Sequence, residues 1–294
     1  MNKELLRKYK NGNYTVFLYT DGTKEKITEE DDFKAEFPDS IDLKITNYCD
    51  ANCPMCHENS GTHGLHADLN AKFLTTLPSG IELAIGGGNP LSHPDLIPFL
   101  TRMKDQGIIC NITVNEKHLI SDNALIARLI EEKLVWGVGV SINEASPQAV
   151  NFLKSYSNSV AHLICGMVTP AVLSKLRGIK ILLLGFKQKG RGENYYNEGV
   201  KKRIEGLKLL LPHLFNCFES ISFDNLALNQ TQICNHLPQS EFDKRFMGND
   251  GEGSMYIDLV NKKYAVSSTA IDTYDIKEDI KQMFSHVNAM SVKS

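Results

Sequence analysis

From Ile41 onward the sequence alternates short apolar segments with amphipathic ones, and this alternation constrains the fold more than any other feature. Segments such as IDLKIT, IELAIGG and IICNITV have the length and β-branched composition of strands, whereas PDLIPFLTRMKDQ and SDNALIARLIEEK have helical periodicity. Strands that alternate with helices form parallel sheets through right-handed crossovers. The sequence therefore predicts an α/β fold, a partial (β/α)6 TIM-like barrel with parallel strands.

The two ends of the chain depart from this alternation. Residues 14–28 contain an alternating strand pattern before an Asp-Gly turn and a polar strand pattern after it, which predicts a small N-terminal β-hairpin. Residues 255–269 predict a C-terminal antiparallel hairpin, and residues 275–287 predict an amphipathic helix after it. We therefore expect an N-terminal extension over residues 1–38, a barrel over residues 39–229 and a C-terminal cap over residues 230–294.

Composition narrows the classes of protein. The 294 residues are 42% hydrophobic, carry a formal net charge of −3 and contain no apolar run long enough to span a bilayer. This balance argues against a dedicated nucleic-acid surface and against a membrane partner. The charged N-terminus lacks the apolar core of a secretory signal, so we expect a cytoplasmic protein.

Three of the seven cysteines lie within eight residues, directly after the first predicted parallel strand. The thiolates of Cys49, Cys53 and Cys56 can converge on a soft metal centre, and no fourth cysteine lies nearby to complete its coordination. Structural zinc sites are normally closed by four Cys or His ligands, and the adjacent His57 keeps zinc as an alternative. The spacing favours an open metal site, and a zinc-binding interaction module is the competing interpretation.

The segment Cys49-Asp-Ala-Asn-Cys53-Pro-Met-Cys56 resembles the three-cysteine signature of the radical SAM superfamily. The resemblance implies that the cysteines bind one 4Fe-4S cluster and that S-adenosylmethionine chelates its fourth iron. It also implies that an electron, from an external donor such as flavodoxin or ferredoxin, cleaves S-adenosylmethionine to a 5′-deoxyadenosyl radical that abstracts a substrate hydrogen. Met55 stands where the family often has an aromatic residue, and we expect its apolar side chain to cover the cluster.

A glycine-rich motif, Gly86-Gly87-Gly88-Asn89-Pro90, ends the second predicted strand. Glycines at a strand end let a ligand approach the backbone, and ligands bind at the carboxyl edge of parallel sheets. The motif resembles the Gly-Gly-Glu-Pro motif of the same superfamily, which holds the methionine amino group. The resemblance implies cofactor contacts by residues 87–90, although Asn89 replaces the glutamate and brings no charge.

Polar groups after later strands complete the expected cofactor site. The resemblance places Ser141 and Asn143 near the ribose or carboxylate of S-adenosylmethionine, and Met167 near the adenine. A loop that leads into a helix also favours Ser and Asn, so a purely structural role for the first two is an equal alternative.

The segment 185–192 carries Lys187, Lys189 and Arg191 beside glycines, which predicts an anion site. It resembles a Gly-Arg element of the superfamily, so Arg191 is expected to bind the cofactor. Lys187, with Asp224 and Asn225 after the seventh strand, is a candidate for substrate contact; a solvated loop is the alternative.

These features predict a radical SAM enzyme that acts on an anionic small molecule or a nucleotide-like compound. A peptide- or protein-modifying enzyme is the alternative within the superfamily. Outside it, the alternatives are the zinc-binding module and a non-catalytic sensor of S-adenosylmethionine or of iron–sulfur status.

Overall fold

The computed structural model describes residues 4–291, which contain two β-sheets and ten α-helices. In chain order the strands are β1 Leu5–Asn11, β2 Tyr14–Tyr19, β3 Lys24–Ile27, β4 Ser40–Thr46, β5 Glu82–Gly87, β6 Ile109–Asn115, β7 Gly137–Ser141, β8 Ser159–Ile164, β9 Lys180–Leu184, β10 Ser220–Phe223, β11 Ser254–Asp258, β12 Lys263–Ala265 and β13 Tyr274–Asp275. The helices are α1 Leu96–Asp105, α2 Glu116–Ser121, α3 Asn123–Glu131, α4 Pro147–Ser155, α5 Pro170–Lys175, α6 Arg191–Tyr195, α7 Glu198–Leu210, α8 Asn225–Thr231, α9 Gln239–Arg245 and α10 Ile280–Ser291.

The main sheet has ten strands in the order β10-β9-β8-β7-β6-β5-β4-β11-β12-β13. Strands β4 to β10 are parallel and pair in sequence order, which confirms the predicted α/β fold with a mostly parallel sheet. Within residues 4–291, β10 and β13 form the two edges, so the sheet is an open partial barrel.

The helices pack on the outer face of this sheet through apolar stripes. In α1 the buried side chains are Leu96, Phe99, Leu100 and Met103, the spacing of one helical face. Among residues 4–291, no helix has both the length and the apolar character needed to cross a bilayer.

Strand β4 shows how the sheet separates an apolar outer face from a polar inner one. Ile41, Leu43 and Ile45 are almost fully buried in the core, whereas Asp42 and Lys44 point to the opposite side. Because the strand period is two, the same alternation repeats along the neighbouring strands. The inner face of the barrel is a trough in which polar side chains, such as those of Asp42 and His162, stand beside apolar ones, such as those of Ile164 and Leu182.

Both terminal hairpins are present, and each has an addition that the sequence analysis did not predict. Strands β2 and β3 form the expected N-terminal hairpin, and β1 pairs with β2 to make a three-stranded antiparallel sheet. Strands β11 and β12 form the expected C-terminal hairpin, but β11 also pairs in parallel with β4. The C-terminal segment thus extends the main sheet, through a pairing between residues more than two hundred positions apart.

A buried carboxylate attaches the N-terminal sheet to the barrel. Asp39, just before β4, is 1% exposed and forms an ion pair of 2.7 Å with Lys26. It also accepts hydrogen bonds from Asn11 (2.9 Å), Tyr14 (2.7 Å) and Tyr9 (3.1 Å). Burial and the Asp39 carboxylate raise the pKa of both tyrosines, so their hydroxyls stay protonated as donors.

Replacement of Asp39 by alanine is expected to lower the free energy of unfolding by about 3–5 kcal/mol, because it leaves the Lys26 ammonium and the hydroxyls of Tyr9 and Tyr14 without their acceptor. Urea denaturation followed by circular dichroism measures the change. The exposed Asp32 provides the control, and Asp32→Ala should shift the free energy by less than about 0.5 kcal/mol. Equal effects of the two substitutions would contradict the anchoring role.

Candidate functional site

A cavity of about 1060 Å³ occupies the trough between the inner strand faces and the segment after β4. This volume is at the upper end of the roughly 300–1,000 Å³ typical of ligand sites, so it offers room for a cofactor and a second molecule. It brings together many of the residues predicted from the sequence. These are Cys49, Cys53, Met55, Cys56, Gly87, Gly88, Ser141, Asn143, Lys187 and Asp224.

The three cysteines lie on the segment of residues 47–60, here called the cysteine loop. Their thiols are free and half-buried, and all three line the cavity. Burial raises the pKa of Cys49 and Cys53, and the neighbouring thiols raise it further, which reflects their closeness. Within residues 4–291, no group of three or more His, Cys, Asp or Glu side chains is arranged to hold a single metal ion. Three thiols facing one cavity are the donor type that an iron–sulfur cluster requires.

Arg191 clamps the cysteine loop from the segment after β9. Its guanidinium donates two hydrogen bonds to the carbonyl of Cys53 (3.1 and 3.0 Å) and one to the carbonyl of Ser60 (2.9 Å). A third partner is the Oδ1 atom of Asn59 at 3.3 Å, and the Arg191 amide donates to the carbonyl of Cys56 at 3.0 Å. In this structure Arg191 therefore supports the loop and does not line the cavity.

Helix α2 holds the same loop from another side. The carboxylate of Asp50 accepts hydrogen bonds from Lys117 Nζ (2.9 Å) and His118 Nε2 (2.6 Å). These two bonds lower the pKa of Asp50 to about 2, so the carboxylate is charged under ordinary conditions. The sequence analysis predicted neither this helix nor its contact with the loop.

Gly87 and Gly88 allow the end of β5 to pass directly against the start of the cysteine loop. Gly87 has a φ of +112°, and a Cβ atom there would lie 2.4 Å from the carbonyl oxygen of Thr46. A Cβ atom on Gly88 would lie 2.1 Å from the carbonyl oxygen of Tyr48. Packing against the loop therefore accounts for both glycines, and their predicted contact with the cofactor stays a prediction.

Asn89 and Pro90 do not line the cavity. Asn89 is 6% exposed, and its Oδ1 atom accepts a hydrogen bond of 3.2 Å from the amide of Leu91. Pro90 is also buried and begins the short 3-10 helix Pro90–Ser92. The Asn89 side chain is thus a helix cap in this structure, and its contact with the cofactor stays a prediction.

Two further predicted residues lie outside the cavity lining. Met167 is partly buried against the hydrophobic core. Asn225 donates a hydrogen bond of 2.8 Å to Asp250. Asp224 does line the cavity, but its Oδ1 atom accepts from the amides of Gly185 and Ala227 and so caps α8.

A buried ion-pair network joins the cysteine loop to β4 and β11. Lys44 Nζ lies 2.6 Å from Glu58 and 2.9 Å from Asp258, and Tyr256 donates to Glu58 at 3.0 Å. Burial opposes the charge on Lys44, but the two carboxylates outweigh it and raise its pKa. Burial likewise opposes the charge on Glu58, yet His57 and Lys44 lower its pKa.

On the wall of the trough, the charge of Lys187 acts on both Asp42 and His162. Lys187 donates to Ser268 Oγ at 2.8 Å. Burial and the charge of Lys187 lower the pKa of His162 to about 4, so its imidazole is neutral near pH 7. Asp42 is open to the cavity but enclosed by the protein, and this burial raises its pKa against the opposing effect of Lys187. The sequence analysis missed Asp42 and His162, although alternation along their strands places both on the inner face.

Only one of the three cations predicted to form an anion site reaches the cavity. Lys187 lines it, whereas Lys189 donates to the carbonyls of Ser268 and Ala270 at 3.3 and 3.1 Å. Arg191 holds the cysteine loop. The local charge pattern therefore differs from a cluster of three cations around one anion.

Asn115, at the end of β6, is a further residue that the sequence analysis missed. Its Nδ2 atom lies 3.7 Å from Cys53 Sγ, and its Oδ1 atom accepts from the amide of Lys117 at 3.0 Å. The Asn143 side chain donates to the same oxygen at 3.4 Å. The strand-end position of an amide side chain is the signal that could have identified it.

Comparison with known proteins finds solved structures with a similar fold and a protein with a similar sequence. No protein-family model matches the chain. An uncharacterized protein of Methanocaldococcus jannaschii is 27% identical over 230 residues, which cover 75% of this chain and 74% of the relative.

The fold is similar to that of SuiB from Streptococcus suis. The crystal structure of SuiB bound to the precursor peptide SuiA matches with a TM-score of 0.60 and 12% identity, over 85% of this chain and 65% of that one. The structure of SuiB bound to S-adenosylmethionine matches with a TM-score of 0.57 and 12% identity, over 85% of this chain and 64% of that one. At this identity the likeness concerns the fold, and this chain spans slightly less than two thirds of SuiB.

Replacement of Arg191 by lysine is expected to loosen the cysteine loop, because a single ammonium cannot reproduce the guanidinium's bonds to two carbonyls. Each lost bond to a buried carbonyl is worth about 1–3 kcal/mol locally. Hydrogen exchange measured by mass spectrometry should show faster exchange across residues 47–60. Lys189→Ala, which removes contacts to residues 268 and 270 instead, should leave exchange in the cysteine loop unchanged. Slow exchange across the loop in both variants would show that Arg191 does not stabilise it.

Stability is expected to fall at acid pH through His162. Its folded pKa of about 4 lies below the unfolded value of about 6.5, so the unfolded chain binds more protons between these values. The free energy of unfolding should therefore decline as pH falls from about 6.5 to about 4, by up to about 3 kcal/mol from this residue. Urea titrations across this range should show a smaller decline for His162→Gln, and parallel curves for the two proteins would contradict the assignment.

Proposed function

We propose that this protein is a radical SAM enzyme that holds a 4Fe-4S cluster through Cys49, Cys53 and Cys56 and binds S-adenosylmethionine in the adjoining cavity. The observation that carries the proposal is the position of three free, half-buried thiols at one end of a large cavity in a partial α/β barrel. The shared fold with SuiB, which has been crystallised with S-adenosylmethionine, supports it.

When bound, the cluster and S-adenosylmethionine supply one-electron cleavage to a 5′-deoxyadenosyl radical that abstracts a substrate hydrogen. The chain's own residues orient the reactants and exclude water. Arg191 and Asp50 keep the cysteine loop in place. Ser141 and Asn143 offer polar groups to the ribose or carboxylate of the cofactor, and Met55 offers an apolar surface. A cytoplasmic location and reduction by an external flavodoxin or ferredoxin belong to the same proposal.

The charged side chains that line the trough indicate the chemical class of the substrate. Lys187 faces the cavity without a carboxylate partner among residues 4–291, whereas Asp42 and Asp224 also line it. A single unpaired cation can bind one anionic group, whereas the two nearby carboxylates would repel the several charges of a polyphosphate. An anionic small molecule is therefore our first proposal for the substrate class.

A peptide substrate is the second candidate, and a specific observation favours it. The SuiB structure with a TM-score of 0.60 contains the precursor peptide SuiA. The cavity is also large and open enough for a side chain to enter beside a cofactor. The two candidates differ in what the cavity admits: a whole small molecule, or one residue of a longer chain.

Anaerobic reconstitution with iron and sulfide tests the proposed function. After reduction with S-adenosylmethionine, the wild type should release 5′-deoxyadenosine, and Cys53→Ala should release none above the protein-free blank, because a cluster ligand is lost. Cys234→Ser is the matched control, since Cys234 is exposed and does not line the cavity; it should behave as the wild type. Liquid chromatography with mass spectrometry quantifies the product.

Other outcomes of the same experiment separate the alternatives. Tightly bound zinc without iron or sulfide would indicate the zinc-binding module. Assembly of the cluster without any cleavage of S-adenosylmethionine would indicate a sensor. Either result would overturn the proposed catalytic function.

A further inference from the structure

The hydrogen-bond partners of Asn115 determine which way its side-chain amide group is turned. Its Oδ1 atom accepts from the backbone amide of Lys117 at 3.0 Å, which caps the start of α2, and from Asn143 Nδ2 at 3.4 Å. A backbone amide is a donor only, so the oxygen of Asn115 must face it. The NH₂ group is therefore turned towards the cavity, where Cys53 Sγ lies 3.7 Å away.

The partners of Asn115 are themselves fixed. The carboxylate of Glu116 accepts hydrogen bonds from the backbone amides of residues 143 to 146, at distances between 2.5 and 3.3 Å. Burial opposes the charge on Glu116, but these bonds lower its pKa and keep it an acceptor. The loop that carries Asn143 is thus tied to α2, and the Asn115 side chain is held between two rigid elements.

Both the backbone carbonyl and the sulfur of Cys53 have hydrogen-bond donors from other parts of the chain. Arg191 donates two hydrogen bonds to the backbone carbonyl of Cys53, and the Asn115 side-chain amide donates to its sulfur. Among residues 4–291, Cys53 is the cysteine of the loop whose sulfur has a side-chain N–H donor within 4 Å. The three sulfurs are therefore not equivalent.

We infer that Asn115 is a positioning residue that donates an N–H···S hydrogen bond to the Cys53 thiolate and thereby raises the reduction potential of the cluster. The inference rests on the proposed function. Reduction adds negative charge to an iron–sulfur cluster and its sulfur ligands, so a donor directed at one sulfur stabilises the reduced state more than the oxidised state. The same bond fixes the rotamer of Cys53.

Asn111 offers a matched control on the same strand. It lies four residues before Asn115, on the same inner face, and also lines the cavity. Its Nδ2 atom donates to Glu82 at 3.3 Å and not to a cysteine. A substitution there removes an equivalent amide from the trough without removing a donor to sulfur.

The test compares wild type, Asn115→Ser and Asn111→Ser after reconstitution of each with iron and sulfide. Electron paramagnetic resonance during a redox titration gives the midpoint potential of each cluster. The Asn115→Ser midpoint should be more negative than that of the wild type, and the Asn111→Ser midpoint should be unchanged. In the reduced wild type, electron–nuclear double resonance should detect an exchangeable proton coupled to the cluster that is missing in Asn115→Ser.

The outcomes distinguish this inference from the proposed function. Failure of the wild type to assemble a cluster overturns the proposed function, and the inference falls with it. A cluster whose midpoint and proton coupling are unchanged in Asn115→Ser overturns the role of Asn115 alone. If serine prevents assembly, Asn115→Asp keeps the capping oxygen in place, and a lowered midpoint with loss of the coupled proton supports the inference, whereas wild-type values refute it.

Discussion

The rest of the site depends on the two ion pairs that the buried ammonium of Lys44 makes. This ammonium is almost fully buried and lies between the carboxylates of Glu58, on the cysteine loop, and Asp258, at the end of β11. Charges in such a place are strongly destabilising unless they are paired, and removal of one partner typically costs about 3–5 kcal/mol. A single side chain thereby makes the position of the loop and the attachment of the C-terminal hairpin conditional on each other.

The cysteine loop has little regular structure, yet it is supported on every side by groups from distant parts of the chain. Arg191 binds its carbonyls, α2 binds Asp50, and Gly88 lets β5 lie against its backbone. Such support is what a loop needs if its side chains are to hold a cofactor in a defined geometry, because the loop itself has no ladder of hydrogen bonds. The carbonyl groups of the loop accept hydrogen bonds on the side away from the cavity, so the thiols can face the cavity.

The trough below the loop mixes polar and apolar side chains, and its lining carries more carboxylates than ammonium groups. Some of its charged side chains, such as Lys44 and Glu58, pair with each other, whereas Asp42, His162 and Lys187 are among the groups that face a ligand. The neutral imidazole of His162 can donate and accept hydrogen bonds without adding charge. This composition favours a substrate of mixed polarity over a highly charged one, for a free molecule and for a peptide residue alike.

Local signals in the sequence were sufficient to predict the α/β fold, both terminal hairpins and the grouping of Cys49, Cys53 and Cys56, since strand and helix periodicity and cysteine spacing act over short distances. Tertiary structure alone decided that β11 pairs with β4 and that Lys44 meets Asp258, because partners separated by more than two hundred residues leave no periodic trace. It also decided that Asn89 caps a helix, since an amide side chain takes whichever donor the folded backbone presents.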